Sequence, residues 1–545
     1  MLPGLRRAVV LGATLVLTSL LPAPAQGVPP GWTDPVTVPG TSGDFNQVSA
    51  TSPDGADLVV WIDGGSTSGS QIKARLRMPG SPRWDRIFVR VDNQASVQDL
   101  SLASSPSGDF WLAWVTYTEP GPEIFVQRLD TSRRRWSDPR QVFVQSGYRH
   151  AAPSLAVAGT GTVVVGAYAQ PVVATSPPTY RAVVATLDPG QSVWQSTFLS
   201  PATDFSGGAS AAAGASGELA VSFVRGYKPS SMRVFTAVRP AGAGSGWQLS
   251  RLSVRGDSQR VSAPSVGADG TVAVAWGAPA SAANTVRVAA TRIRARPQAW
   301  SVQDAQPAGL GVLDPAVVVD QHGAATVLWR QDHGGNVILI QARRFVAGIL
   351  GAPVTVSASG ELGDLRSIRL RADGKVALLT QQFSTTVANL GLRYRLLAAD
   401  GPRHVRILTD GTEPHENQAR LGLTVAGRPT VIYTQGFPPP DTRFAALGET
   451  PKRPVVVRGA DDPARVRAAK VVGRPRVGER LTCRSGFWVE ARSLTVTWRR
   501  DGRPVATGPG YRVRSRDSGH GLSCEVRAVN DVGGHTVGSP RRRVA

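Results

Sequence analysis

Between Asn46 and Tyr433 one arrangement of apolar and polar positions recurs along the chain. A short alternating apolar segment leads to a turn ending in glycine, and the apolar run that follows usually closes on an aromatic. The clearest copies are Ser52-Pro53-Asp54-Gly55 before Val59-Val60-Trp61, and Ser105-Pro106-Ser107-Gly108 before Leu112-Ala113-Trp114. Ala268-Asp269-Gly270 precedes Val274-Ala275-Trp276, and Gln321-His322-Gly323 precedes Val327-Leu328-Trp329. Weaker copies centre on Gly161, Gly217, Gly374 and Gly427, the last leading to Val431-Ile432-Tyr433. The eight turn glycines are 53, 53, 56, 53, 53, 51 and 53 residues apart. Alternation with a period of two predicts strands, and an Asp-Gly turn tolerates positive φ, so each copy predicts a β-hairpin. A third strand follows, as at 71–76 and 124–129, and a fourth usually opens with Trp84, Trp136, Trp194, Trp247 or Trp300.

Four strands in every ~50 residues make one propeller blade. The pattern therefore predicts an all-β chain whose residues 30–448 form an eight-bladed β-propeller, with an open β-solenoid as the alternative. Closure has its own signal. Trp32-Thr33-Asp34-Pro35-Val36-Thr37-Val38 copies Trp136-Ser137-Asp138-Pro139-Arg140-Gln141-Val142, a fourth strand. The last repeat shows three strands, the third expected near 442–447, so the N-terminal strand is expected to complete it and remove the exposed edges of an open array. Tryptophans at repeat-locked positions read as packing between blades. The array resembles β-propellers of the bacterial secreted kind. It carries neither the Gly-His…Trp-Asp marks of WD40 repeats nor the Ser-x-Asp-x-Gly-x-Thr-Trp box of sialidases, so no sialidase chemistry is implied.

A polar segment, 449–467, is expected to link the array to a different pattern. Cys483, Trp498 and Cys524 stand at the spacing of an immunoglobulin core, and Asp517-Ser518-Gly519 precedes the second cysteine. Residues 468–543 thus resemble a bacterial immunoglobulin-like domain. Leu522 stands where the corner tyrosine of such domains is usual. The resemblance implies Trp498 packed on a Cys483–Cys524 bridge; these are the chain's two cysteines.

Composition adds compartment and partner. Arg6-Arg7, the uncharged run Ala8 to Leu21 and Ala23-Pro24-Ala25 read as a signal peptide over 1–25, for the Sec or the twin-arginine route. No later hydrophobic run suggests an anchor, so a secreted, extracellular chain is expected, with charge as its means of association with a cell surface. The net charge is +22, and from Lys452 onward 21 Lys and Arg stand against 8 Asp and Glu. Such a surplus attracts anionic polymers of a cell surface. Nucleic acid fits the charge but neither the compartment nor the absence of interleaved aromatics.

No nucleophile elbow, phosphate-binding loop or His-Glu-x-x-His motif is present, and the seven histidines are scattered. No catalytic residue or resident cofactor follows. One feature recurs: a charged residue just before each innermost strand, namely Asp44, Asp99, His150, Asp204, Arg260, Asp314, Asp364 and Glu416. These could form a mostly acidic ring at a channel mouth, where Ca2+ or a cationic group would bind; alternatively the acids satisfy turn N–H groups. The expectation is a non-catalytic recognition or scaffold protein for an extracellular protein or carbohydrate. The alternative is a secreted glycoside hydrolase or polysaccharide lyase at that mouth.

Overall fold

A computed structural model describes residues 36–39, 47–63, 71–79, 81, 83–89, 96–118, 121–173, 178–202, 205–226, 231–242, 244, 246–254, 260–280, 283–292, 299–305, 311–332, 338–357, 362–371, 373–383, 391–398, 401–408, 419–424, 427–436, 452–459, 464–467, 469–485, 487–489, 493–529 and 534–545. Among them the regular structure is mainly strand, with a short 3-10 turn at Ser515–Asp517 and no helix long and apolar enough to cross a membrane. The segment read as a signal peptide lies outside the described residues.

Eight antiparallel sheets of four or five strands follow one another along the chain. The first runs Gln47–Thr51, Asp57–Asp63, Gln71–Arg77 and Asp85–Phe88 in spatial order, and the next six repeat that meander. All eight repeat glycines adopt positive φ, from 79° at Gly374 to 105° at Gly217. Each donates its N–H to the carbonyl three residues back, as Gly55 does to Ser52 at 3.0 Å and Gly108 to Ser105 at 3.1 Å. The period in the sequence is thus the period of a left-handed turn position that a side chain would strain.

Where Trp or Tyr stands six residues after the turn glycine, it is core. Trp114, Trp276, Trp329 and Tyr433 are fully buried and Trp61 nearly so. They pack between sheets: Trp114 lies in one cluster with Leu58 and Val60 of the preceding sheet, and Trp61 with Ile432 and Val456 of the eighth. Each such ring removes 150–250 Å² from water, the largest single apolar contribution available to a repeat.

The first strands of successive sheets pack on one another in chain order, and Arg420–Leu423 of the eighth packs on Gln47–Thr51 of the first. The eighth sheet takes its fourth strand from the N-terminus: Val36 pairs with Val456 and Thr37 with Val455. In the second sheet Arg140 and Gln141 pair with Val126 and Phe125 in the same way. The third strand of the eighth sheet corrects the expectation. It is Lys452–Arg458, inside the stretch read as linker, whereas 442–447 lie outside the described residues. Lys452, Arg453 and Pro454 gave the segment its polar look, yet Val455 and Val456 are buried against the second strand. The rest of that stretch holds a second strand, Ala464–Arg467, which pairs with Phe487–Val489.

The C-terminal residues form a three-stranded sheet (Lys470–Val472, Arg480–Arg484, Gly510–Arg512) and a five-stranded one built on Ser493–Arg500 and Gly521–Val529. The Cys483–Cys524 disulfide joins them, with Cα atoms 6.1 Å apart. Trp498, fully buried, stacks on Tyr511 at 5.5 Å.

Candidate functional site

The first strand of a sheet has one edge bonded to its own hairpin partner and another facing its neighbours. Two devices recur there. Ser101, Ser154 and Ser265 each accept the N–H of a residue in the next first strand: Leu155 at 3.1 Å, Ala211 at 2.9 Å and Val319 at 2.9 Å. These serines satisfy donors that no ladder reaches. A bulge also recurs. Register shifts between Gln98 and Ser101, between Ala151 and Ser154, and between Leu313 and Ala316. The bulged residues Asp99, Ala152 and Asp314 hold φ of 52°, 52° and 48°. Two are followed by proline, which has no N–H to leave unpaired.

The charged residues predicted at these strands therefore lie within them rather than ahead of them. Asp99, His150, Asp314 and Asp364 fall inside Ser96–Ser104, Tyr148–Val157, Gly311–Val319 and Leu362–Leu370, and Arg260 opens a short strand, Arg260–Val261. Asp44, Asp204 and Glu416 lie outside the described residues.

The described members have different surroundings. Asp314 and Asp364 come together through Arg330, whose Nη1 is 2.7 Å from one carboxylate and 3.2 Å from the other. Arg366 adds a contact to Asp364 at 3.1 Å and donates to Gln381. Arg330 thus fills the space between the two acids. His150 is buried at 2% exposure and stacks on Phe143 at 4.8 Å. Burial pushes its pKa down to about 4, so the imidazole is neutral at pH 7. No three His, Cys, Asp or Glu side chains gather as metal ligands among the described residues.

Asp99 is exposed and has a different setting. The residue at the place of Arg330 in its sheet is Val115, so no arginine meets it there. Tyrosines do. Burial, and then the charge of Asp99, raise the pKa of Tyr117. Burial, with Tyr117, Asp99 and Tyr180 nearby, raises that of Tyr168. Tyr168 meets Tyr180 edge-on at 5.5 Å, and Tyr180 meets Phe205 edge-on at 5.0 Å. Tyr180 and Phe205 also form a backbone bridge between the third and fourth sheets. Tyr117 is 39% exposed and the other three rings are half-buried. The third and fourth sheets thus bring Tyr168, Tyr180 and Phe205 into one line of ring contacts, with Tyr117 and the charge of Asp99 in the second sheet within electrostatic range of Tyr168. With their pKa values raised, the Tyr117 and Tyr168 phenols stay protonated donors at neutral pH. None of these aromatics sits at a repeat-locked position, so the period gave no sign of them.

No protein family and no curated protein matches the chain. Solved structures give slight likenesses. A protein of unknown function from Dyadobacter fermentans shares 12% identity at a TM-score of 0.39, over 68% of this chain and 97% of its own. A prolyl endopeptidase shares 15% at 0.41, over 71% of this chain and 52% of its own, so the match spans about half of that enzyme. An ulvan lyase shares 9% at 0.37, over 60% of this chain and 87% of its own. Likenesses this slight carry neither activity nor substrate to this chain.

Proposed function

We propose that the protein is a non-catalytic recognition protein of the cell exterior. In this reading the eight sheets are the blades of a propeller closed by the N-terminal strand, and the C-terminal residues form an immunoglobulin-like sandwich. The propeller binds carbohydrate at Asp99, Tyr117, Tyr168, Tyr180 and Phe205, and the basic C-terminal unit holds the protein to an anionic surface.

The observation that supports the binding role is the line of aromatic rings within range of an exposed acid that no arginine pairs with among the described residues. Sugar rings present C–H faces that pack on aromatic rings, and hydroxyls that donate to a carboxylate. The other described acids of the predicted ring, Asp314 and Asp364, are engaged by Arg330 and Arg366 instead. The site is thus built for contact with a neutral, hydroxyl-rich ligand.

Titrating the full chain with a panel of neutral and acidic oligosaccharides by calorimetry tests this. At least one neutral oligosaccharide is expected to bind, with affinity falling about tenfold or more in Tyr117→Ala and measurably in Asp99→Asn. Binding unchanged in both variants would remove the site. Release of new reducing ends from a polysaccharide, lost in the same variants, would replace recognition by hydrolysis or lysis.

A further inference from the structure

The three-stranded C-terminal sheet has two unlike faces. Inward, Val471, Leu481, Cys483 and Tyr511 are buried. Outward, Lys470, Arg480, Thr482, Arg484 and Arg512 are exposed. The register sets these cations directly opposite one another: Lys470 faces Arg484, and Arg480 faces Arg512. Like charges paired across strands destabilise a sheet. Two such pairs on one face are a cost that the fold does not require, because the outward positions of a sheet accept any polar residue.

Between the two pairs the sheet surface is low. Thr482 stands opposite Gly510, and the Arg480 guanidinium lies over that glycine, so that a Cβ there would meet its Nε at 2.9 Å. Arg512 Nε donates to the Gly478 carbonyl at 3.2 Å, which lays its side chain along the strand end. No carboxylate is in ion-pair reach of these four cations among the described residues, although the same unit pairs Arg499 with Glu525 and Arg500 with Asp517 on the other sheet. Four residues at ~3.3 Å separate the pairs along Arg480–Arg484, so the two cationic steps lie about 13 Å apart across a shallow saddle.

We infer that this face is the attachment site for a linear, base-free polyanion whose phosphates or carboxylates cross the saddle and engage both cationic pairs. The inference rests on the reading of the C-terminal unit as an attachment module and names the face and the ligand chemistry. Guanidinium forks hold either anionic group with two parallel hydrogen bonds. A polymer satisfies both steps at once, which a single small anion cannot. The outward positions of the three strands carry no aromatic side chain, so nucleobases would find no stacking surface.

The test uses the full chain with three probes: long-chain inorganic polyphosphate, polygalacturonate and poly(dT), each titrated over a range of salt. The wild type is expected to bind polyphosphate or polygalacturonate more tightly than poly(dT), and the two acidic polymers distinguish phosphate from carboxylate. The double variant Arg480→Gln, Arg512→Gln should lose about tenfold or more and show a shallower salt slope, whereas Arg541→Gln, Arg543→Gln should change affinity less than twofold. The first double variant should also melt at a higher temperature than the wild type, since it relieves a cross-strand repulsion; a merely structural role would lower it. Unchanged affinity in that variant overturns the face while leaving attachment by the unit intact. No binding of any polymer by the wild type at low salt overturns both, and a preference for poly(dT) overturns the base-free ligand.

Discussion

Arg458 donates from Nε, at 3.1 Å, to the carboxylate of Asp57, a residue 401 positions earlier in the chain. Its Nη2 also donates to the Gly55 carbonyl at 3.1 Å. Asp57 has no exposed surface, and it takes Arg77 at 2.8 Å and the Thr51 hydroxyl at 2.9 Å as well. Arg458 closes the third strand of the eighth sheet and Asp57 opens the second strand of the first. The contact therefore ties the last sheet to the first beside the N-terminal strand.

Removing the acid should cost far more than removing one cation. Asp57→Ala leaves two guanidinium groups facing each other without their shared anion, and breaking a buried pair in this way costs about 3–5 kcal/mol. Arg458→Met leaves Asp57 paired with Arg77 and should cost less than half of that. Arg133→Ala, from an exposed pair with Asp130, should stay within about 0.5 kcal/mol. Denaturant unfolding of the three variants checks the ranking. Equal effects from Asp57→Ala and Arg133→Ala would contradict it.

How much of this was legible beforehand depends on what a single chain position can reveal. The turn glycines were legible because positive φ imposes a residue type at a fixed period. The N-terminal strand was legible because Trp32, Asp34, Pro35 and Val38 stand at the spacing of Trp136, Asp138, Pro139 and Val142. Lys452–Arg458 was missed because charge and proline at its start masked a buried Val-Val pair. The predicted ring was drawn from charge and place in the repeat, which could not distinguish exposed Asp99 on a bulge from Asp314 under Arg330 or His150 stacked on Phe143. The opposed cations of the C-terminal sheet depend wholly on register, which no local pattern supplies.

His150 should make the array sensitive to mild acid. Its folded pKa lies near 4, below the ordinary value of about 6.5 in an unfolded chain, because burial disfavours the imidazolium. A depressed value means that the stabilisation is complete above pH 6.5 and is lost as pH falls toward 4. The difference amounts to about 3 kcal/mol over that window. His150→Phe keeps a ring against Phe143 and removes the titration. Its stability curve should be flatter than that of the wild type between pH 6.5 and 4, with the variant the more stable at pH 4. Parallel curves would show that His150 does not titrate in this window.

Asp517 sets a second, lower acid limit in the C-terminal unit. Burial opposes ionisation of its carboxyl, but three donors outweigh it: the Arg514 N–H at 2.8 Å, the Tyr511 hydroxyl at 2.7 Å and Arg500 Nη1 at 3.1 Å. The folded pKa is therefore depressed. The stabilisation is present above the unfolded value of about 3.9 and is lost as pH falls through the lower folded one. Tyr511→Phe removes one donor while keeping the stack on Trp498, and should cost about 1–2 kcal/mol. It should also move acid opening of this unit to higher pH. Hydrogen exchange of Gly521–Val529, followed by mass spectrometry from pH 5 down to 2, reads that opening apart from the array. Because the His150 and Asp517 windows do not overlap, the array should lose protection first and the C-terminal sheet only below about pH 4. The reverse order would mean that the hydrogen bonds to Asp517 contribute less than its burial costs.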